Sequence, residues 1–316
     1  MSLGLSLIAF LPALSSAQAY PNRPIKWIIP FPPGGTTDIV GRAMTDVLGA
    51  QLGQPVVIEN RCGAAGAIGA DAIAKSAPDG YTIGMATVST HGTNPTTNPK
   101  LPYSVERDFI AVTNLASVPH IIAVHPSFPA KNMEEFLKQV RGNPGKFSYA
   151  SSGTGGIGHM FAELVKVSTK TFVLHIPYRG SGPALNDTVA GQVNMIFDNL
   201  PSTLPFVQSG RLVAIAVAAP NRVPMLRNVP TLGELGFKDA NVMAWYGIVV
   251  PAKTPDDIVK RLHETSVKAL ADPKVQERFR GAGATPVGNS PAEFQKQILD
   301  EMGTWARVVK VQKIAV

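Results

Sequence analysis

The sequence predicts an α/β protein with two lobes, each a mainly parallel sheet flanked by helices. Apolar runs of strand length alternate with amphipathic stretches of helix length, which is typical of βαβ units. Three strand–loop–helix units precede about residue 110, and three more follow about residue 145. Two glycine-rich segments, Ile25–Asp38 and Phe147–His159, repeat the order of strand, loop and helix start. This coarse two-fold pattern indicates two similar lobes.

The individual elements follow from local patterns. Short runs of aliphatic and aromatic residues bounded by Gly, Pro, Asn or Asp predict strands. The candidate strands are Ile25–Ile29, Pro55–Glu59, Tyr81–Ala86, Ala111–Ala116, Ile121–Val124, Phe147–Ala150, Phe172–Ile176, Asn194–Phe197, Leu212–Ala218 and Trp245–Val250. Amphipathic periodicity, with proline near the first turn in the last three, predicts helices. The candidate helices are Asp38–Leu52, Met133–Val140, Gly158–Val167, Pro255–Leu270, Pro273–Phe279 and Pro291–Val309.

The loop after the first strand is predicted to bind an anion. Gly34 and Gly35 turn the backbone and leave its N–H groups uncovered by side chains. Thr36 or Thr37 is expected to cap the helix that follows. Free N–H groups at a helix start form an anion site. Because Phe147–His159 has the same design, we expect the two loops to close on one small anion.

Residues 1–19 are predicted to be a signal peptide. Leu3–Leu14 is almost wholly apolar, and Ala17-Gln18-Ala19 is a small-x-small cleavage motif. The apolar run is too short to span a membrane as a helix. No Lys or Arg follows Met1, which departs from the usual positive start, and a buried N-terminal helix is the alternative. We therefore expect a mature protein that is exported and soluble.

Composition argues against several functional classes. The net charge is +7, but the Lys and Arg residues are scattered, so a nucleic-acid surface is not expected. The single cysteine, Cys62, is predicted to fill space in a small-residue loop, with a redox thiol or an intermolecular bridge as alternatives. G-x-S-x-G and H-E-x-x-H motifs are absent, and the six histidines lack metal-ligand spacing. We expect no enzyme activity, no cofactor and no metal.

One motif favours an enzyme. Gly153–Gly158 satisfies G-x-G-x-x-G between a predicted strand and a predicted helix, as a dinucleotide-binding loop does. That fingerprint also requires an acidic residue about 20 positions later. The corresponding region is His175–Arg179, and the next acidic residue is Asp187. A dinucleotide-dependent oxidoreductase is therefore the remote alternative.

The chain resembles the Bug family, the periplasmic solute-binding proteins of tripartite tricarboxylate transport systems. Matching motifs run in family order over nearly all of residues 20–310, among them YPNRPIKWIIPFPPGGTTDIVGR, GQPVVIENRCGAAGAIGA, PGKFSYASSGTGG, HIPYRGSGPAL, GQVNMIFDNLPS and WYGIVVPAKTP. The resemblance implies a clamshell like that of type II periplasmic-binding proteins, hinged by two crossing strands. One lobe would comprise residues 20–119 and 245–316, and the other residues 120–244.

The resemblance also implies a function. The protein would capture a small carboxylate between its lobes and deliver it to the membrane permease subunits of a tripartite tricarboxylate transporter. Di- and tricarboxylates, acidic amino acids and aromatic acids are the expected ligand classes. We expect a periplasmic monomer, and presentation of the ligand to a sensor kinase is the alternative role.

The resemblance assigns the ligand contacts by position. They are Phe31, Gly34, Gly35, Thr36, Asp38, Ala65, Gly66, Ser89 and Thr90 in the first lobe, and Ser152, Thr154, Gly155, Gly156, His159, Tyr178, Arg179 and Asp198 in the second. The loops depart from the family pattern where Pro32 replaces Ala, Thr36 replaces a small residue, Cys62 replaces Pro and Gly156 replaces Ser. Ligand identity therefore does not transfer from a relative.

Several of these residues have a structural alternative. Asp198 could pair with a ligand ammonium, accept from a ligand hydroxyl or carboxylic acid, or cap the following helix. Arg179 could clamp a carboxylate or form a surface ion pair, and His159 is expected to stabilise its loop rather than contact ligand. A side chain at Gly35 or Gly155 is expected to cover N–H groups and to resist a positive φ.

Overall fold

The structure, a computed structural model, describes residues 20–312. The predicted signal peptide lies outside these residues. The strands are β1 (Ile25–Ile29), β2 (Val56–Asn60), β3 (Thr82–Thr87), β4 (Phe109–Val124), β5 (Ser148–Ser151), β6 (Leu174–Pro177), β7 (Met195–Asn199), β8 (Val213–Ala218), β9 (Met243–Pro251) and β10 (Thr285–Pro286).

The helices are α1 (Thr36–Leu52), α2 (Ala67–Ala74), α3 (Asn94–Thr97), α4 (Met133–Gly142), α5 (Ile157–Thr169), α6 (Ser181–Val189), α7 (Leu200–Gln208), α8 (Asp256–Leu270), α9 (Pro273–Ala282) and α10 (Pro291–Gln312). A π-helical turn, Val88–Thr93, follows β3. Within residues 20–312, no helix combines the length and apolar character that crossing a bilayer requires.

The strands form two sheets that share β4. The order along the main path is β2-β1-β3-β9-β4-β7-β5-β6, with β8 and β10 also pairing with β4. Pairing is parallel within β2-β1-β3 and within β7-β5-β6, as predicted, and antiparallel wherever β4 or β9 takes part. The result is the two-lobed α/β clamshell that the sequence predicts.

Strand β4 connects the two lobes. Residues 109–119 pair with β9, and residues 120–124 pair with β7 and β8. The sequence predicts two strands here, Ala111–Ala116 and Ile121–Val124, with a crossing between the lobes near Val118–Val124. That separation is wrong. The chain changes partners at Pro119, so the missing N–H falls where one sheet gives way to the other.

Helices start where parallel strands end, and this places their N-termini at one edge of each sheet. Helix α1 follows β1 in the first lobe, whereas α5, α6 and α7 follow β5, β6 and β7 in the second. Helices α2, α3, α6 and α7 are missing from the predicted set, since α2 has almost no polar face, α6 has Gly182-Pro183 in its first turn and α7 contains two prolines. Binding crevices of open parallel sheets lie at this edge.

Candidate functional site

A small cavity lies between the lobes, at the carboxyl ends of the strands. Its lining residues are Phe31, Gly35, Thr36, Thr37, Thr87, Ser89, Ser152, Ile157, Ser181, Asn199 and Tyr246. None of these side chains carries a charge at neutral pH. The cavity volume is about 10 Å³, roughly the room that one water molecule needs. Backbone amides, hydroxyls and one carboxamide therefore supply its polar chemistry.

Four helices begin at this cavity. Helix α1 begins at Thr36, α5 at Ile157 and α6 at Ser181, while α7 has Asn199 as its N-cap. None of the four N-cap residues caps its helix with its own side chain. The first N–H groups of a helix lack intrahelical partners and carry the positive end of the helix dipole. Their convergence favours an anion between the lobes.

The cap of α1 differs from the prediction. Gly35 is the N-cap, with φ −80° and ψ 164°, so Thr36 and Thr37 lie inside the helix. The expectation of a positive φ at Gly35 is therefore wrong. Positive φ occurs instead at Gly34 (φ 82°), and it is also found, as expected, at Gly155 (φ 75°).

Hydrogen bonds join the two lobes directly. The N–H of Ile157 donates to Ser89 Oγ at 2.9 Å, and the N–H of Ser202 donates to Thr36 Oγ1 at 3.2 Å. The hydroxyls of Thr36 and Ser202 are 2.9 Å apart. In each case a hydroxyl of the first lobe accepts from an N–H in the first turn of a helix in the second.

The lobes also touch through backbone that tolerates no side chain. A Cβ on Gly180, which has φ 150°, would lie 2.3 Å from Cδ of Pro32 in the opposite lobe. Gly153 faces Ala65 of the first lobe with φ 136°, a backbone conformation that residues with a Cβ rarely adopt. Glycine at these positions allows the jaws of the clamshell to meet.

Asp38 lies behind the first glycine loop. Its Oδ2 accepts from the N–H of Gly34 at 3.2 Å and from Nε of Arg42 at 2.8 Å. Its Oδ1 accepts from Nδ2 of Asn60 at 3.1 Å, and the same amide donates to the Phe31 carbonyl at 2.8 Å. The carboxylate thus holds the loop in shape while Phe31 itself lines the cavity.

Asp198 has a comparable position in the second lobe. The residue is 1% exposed, and Ser181 Oγ and Ser202 Oγ each donate to it at 2.7 Å. Thr203 Oγ1 donates at 3.4 Å. Burial raises the pKa of the Asp198 carboxyl, although the hydroxyl hydrogen bonds oppose this shift. The carboxylate orients two serine hydroxyls beside the cavity and forms no N-cap.

His159 supports the second glycine loop. Its Nδ1 accepts from the N–H of Gly155 at 3.1 Å, and its ring stacks on His175 with 4.1 Å between centroids. Burial lowers the pKa of His159, and burial followed by the neighbouring His159 lowers the pKa of His175 to about 3. A neutral ring leaves Nδ1 free to accept, which agrees with the expected loop-stabilising role.

Three other expected residues of the first lobe support the site from within. The carbonyl of Ala65 accepts from Nδ2 of Asn94 at 3.1 Å. A Cβ on Gly66 would lie 2.6 Å from Cγ2 of Thr90. Thr90 itself forms a capping box with Thr87 at the start of the π-helical turn. These residues fix the loops around Ser89 and do not line the cavity.

The remaining expected residues of the second lobe do not line the cavity. The Tyr178 hydroxyl donates to Asp187 at 2.7 Å, and burial together with this bond raises its pKa to about 12. Arg179 and Thr154 are exposed, and Gly156 is the N-cap of α5. Arg179 has no ion-pair partner among residues 20–312.

Five expected residues line the cavity: Phe31, Gly35, Thr36, Ser89 and Ser152. Sequence reasoning missed Thr37, Thr87, Ile157, Ser181, Asn199 and Tyr246. The first five of these belong to, or directly follow, loops rich in Gly, Ser, Thr, Asn or Pro at strand ends, so loop composition could have indicated them. Tyr246 lies within β9, and nothing in its local sequence indicates a cleft position.

Comparison with known proteins agrees with this architecture. Residues 40–314 match the model of the tripartite tricarboxylate transporter family receptor. Protein BugT of Bordetella pertussis is 37% identical over 296 residues, which cover 93% of this chain and 91% of BugT. A solved periplasmic transporter is 48% identical with a TM-score of 0.92, covering 94% of this chain and 99% of that one.

Two further structures contain ligands. An R. palustris protein with adipate is 33% identical with a TM-score of 0.91, covering 94% of this chain and 99% of that one. MatC from Rhodopseudomonas palustris with bound malate is 33% identical with a TM-score of 0.87, covering 92% of this chain and 100% of that one.

Proposed function

This chain belongs to the tripartite tricarboxylate transporter receptor family, and we propose that it captures a small organic carboxylate between its lobes for delivery to a membrane permease. One observation carries the proposal. Four helix N-termini and several hydroxyls surround a cavity whose lining has no charged side chain. Such a site stabilises an anion through backbone dipoles and hydrogen bonds.

Magnitudes support binding without a formal positive charge. A carboxylate at a helix N-terminus gains roughly 0.3–1 kcal/mol, and up to about 2 kcal/mol when partly buried. Each hydrogen bond to a charged group adds roughly 1.5–3 kcal/mol. After the costs of ordering, about 8 kcal/mol remains, near micromolar affinity. A receptor that must release its cargo needs no tighter binding.

We propose that the lobes comprise residues 20–119 with 245–316, and residues 120–244. The change of partners in β4 at residues 119–120 supports the first boundary. Strand β9 returns at Met243, which pairs with Pro119 and supports the second. A cavity of about 10 Å³ is smaller than any dicarboxylate, so the lobes must separate from this closed form to admit the cargo and must remain further apart around it than they are here.

The adipate and malate in relatives favour aliphatic dicarboxylates as the first ligands to test. Acidic amino acids, tricarboxylates and aromatic acids complete the proposed range. We propose a periplasmic monomer that acts without enzymatic turnover. Presentation of the bound acid to a sensor kinase is the second candidate role, because it uses the same closed form.

A thermal-shift panel tests the proposal. It would contain mono-, di- and tricarboxylates, acidic amino acids, aromatic acids and, as the counter-ligand, NAD. A ligand at 100 times its dissociation constant should add about 2.7 kcal/mol to the free energy of unfolding. Stabilisation by at least one acid, without chemical change of that acid, is the expected result. Stabilisation by NAD alone, or turnover of an acid, would overturn the proposal.

A further inference from the structure

Asn199 occupies a capping position that it does not use. It is the N-cap of α7, where an asparagine side chain ordinarily accepts from the second or third N–H of the helix. Here the N–H of Ser202, the third helical residue, donates to Thr36 Oγ1 of the opposite lobe at 3.2 Å. A hydroxyl of the first lobe thus caps a helix of the second lobe, and the Asn199 side chain does not cap it.

The Asn199 side chain lies in the cavity with an unused acceptor. Asn199 is 5% exposed and lines the cavity, and its Oδ1 is buried without a hydrogen-bond partner among the described residues. Buried polar atoms in folded proteins almost always have a partner. An acceptor that the protein leaves unsatisfied at a cleft is available to a donor on a bound molecule.

A second acceptor faces the same cavity. Ser181 Oγ donates a hydrogen bond to Asp198 Oδ1 at 2.7 Å. Because its only hydrogen is used in this bond, the hydroxyl acts as an acceptor toward the cavity that it lines. Asp198 is thereby a positioning residue, because it fixes the direction in which the Ser181 hydroxyl donates. Asn199 and Ser181 form an acceptor pair beside the helix N-termini that attract the carboxylate.

We propose that the Asn199–Ser181 acceptor pair selects a carboxylate that bears a hydrogen-bond donor on the adjacent carbon, either a hydroxyl or an ammonium group. The inference rests on the proposed function and narrows its ligand class. The helix N–H groups donate hydrogen bonds to the carboxylate, and the acceptor pair accepts hydrogen bonds from the hydroxyl or ammonium group. An acid without that donor leaves both acceptors buried and unpaired, which weakens its binding.

The test compares acids that differ only in the substituent next to the carboxylate. Dissociation constants would be measured by calorimetry for succinate, malate and aspartate, for glutarate, 2-hydroxyglutarate and glutamate, and for phenylacetate and mandelate. The proteins would be the wild type, Asn199→Leu, Ser181→Ala and, as a matched control for general cleft damage, Ser89→Ala, which removes the cross-lobe hydroxyl at α5 and keeps the Thr36–Ser202 contact at α7. Ser181→Ala removes only one oxygen atom and is expected to fold. It therefore tests the inference even if Asn199→Leu is too unstable for binding to be measured.

We expect the wild type to bind a hydroxy or amino acid at least tenfold more tightly than its unsubstituted counterpart. Asn199→Leu and Ser181→Ala should reduce this ratio to about threefold or less, whereas Ser89→Ala should weaken all acids by a similar factor. Equal binding of substituted and unsubstituted acids by the wild type would overturn the inference, as would uniform losses in both test variants. Binding of no acid at all would overturn the proposed function and, with it, this inference.

Discussion

The amide nitrogen of Ile157 lies 2.9 Å from Ser89 Oγ, so the first N–H of helix α5 donates across the cleft to the opposite lobe. Thr36 makes the corresponding contact with the N–H of Ser202 at the start of α7. Two helix N-termini of one lobe are therefore satisfied by two hydroxyls of the other. The closed form has its own hydrogen bonds, and the strength of these bonds sets how readily the lobes separate.

Ser89→Ala should shift the lobes toward the open form. It removes the acceptor of the Ile157 N–H, and a net hydrogen bond contributes roughly 0.5–1.5 kcal/mol. We expect a larger radius of gyration by small-angle X-ray scattering and binding of the best acid weaker by up to about tenfold. Ser76→Ala is the control, since Ser76 bonds within its own lobe to the Ala72 carbonyl. An unchanged radius together with unchanged affinity would contradict the prediction.

Gly180→Ala should prevent complete closure. The added Cβ would lie 2.3 Å from Pro32 Cδ, a contact that only separation of the lobes relieves. Gly210→Ala is the matched control, because Gly210 also has a positive φ (72°) and has nothing within 4 Å of an added Cβ. Both variants incur backbone strain, but we expect only Gly180→Ala to raise the radius of gyration of the ligand-free protein, measured by small-angle X-ray scattering. Equal radii in the two variants would show that the lobes do not meet at this contact.

His120→Phe should make the protein less sensitive to acid. His120 is fully buried and stacks on Phe161, and among residues 20–312 neither ring nitrogen has a well-formed hydrogen bond, although the Asp198 backbone opposes part of the effect of burial on the His120 pKa. Burial lowers the pKa of His120 to about 3, whereas an unfolded histidine has a pKa of about 6.5. The unfolded chain binds the extra proton, so stability contributed by neutral His120 is lost as pH falls from about 6.5 toward 3.

Phenylalanine keeps the ring stack and removes the proton-binding site. Urea unfolding between pH 7 and pH 4 should therefore give a smaller loss of unfolding free energy for His120→Phe than for the wild type. His120→Leu separates the two effects, because it also lacks the titrating group but loses the contact with Phe161. It should be less stable than His120→Phe at every pH. A wild-type slope in both variants would contradict the assignment.

Asp198→Asn should have the opposite pH signature. Burial raises the pKa of Asp198 above its ordinary value of 3.8, so the folded chain binds more protons than the unfolded chain as pH rises above 3.8. Wild-type stability contributed by this group is therefore lost with rising pH. The variant should be at least as stable as the wild type at pH 7, measured by urea unfolding, and should show a smaller loss between pH 4 and pH 7. Marked destabilisation at pH 7 would contradict this expectation.

Much of the fold can be predicted from the sequence because its signals are local. Strand β1 has the predicted bounds, Ile25–Ile29, and proline near the first turn correctly indicates α8, α9 and α10. The merging of two predicted strands into β4 could not be predicted, because Pro119 is tolerated only where the two sheets exchange partners. That exchange depends on the tertiary structure.

The candidate site also contains some residues that the sequence indicates and others that only the tertiary structure reveals. Phe31 and Ser89 follow strand ends, where sequence pattern and family resemblance agree. Loop composition could have placed Asn199 at the cleft but could not reveal its free acceptor, which depends on Thr36, 163 positions earlier in the chain, capping α7 in its place. The resemblance assigns Asp38 to the ligand contacts, but its carboxylate oxygens accept hydrogen bonds from Gly34, Arg42 and Asn60. Sequence reveals which loops meet, and packing decides which atoms remain unpaired.

The central place of strand β9 also determines the order of assembly. β9 lies between β3 and β4, so the first sheet has a gap at its centre until residues 243–251 are available. The strands of the second sheet all precede β9 in the chain. When the chain is made from its N-terminus onward, the second lobe can therefore fold first. Strands β1, β2 and β3 cannot complete their sheet until β9 has been made. The first lobe is then the part of a newly made chain that is exposed longest to aggregation and proteolysis.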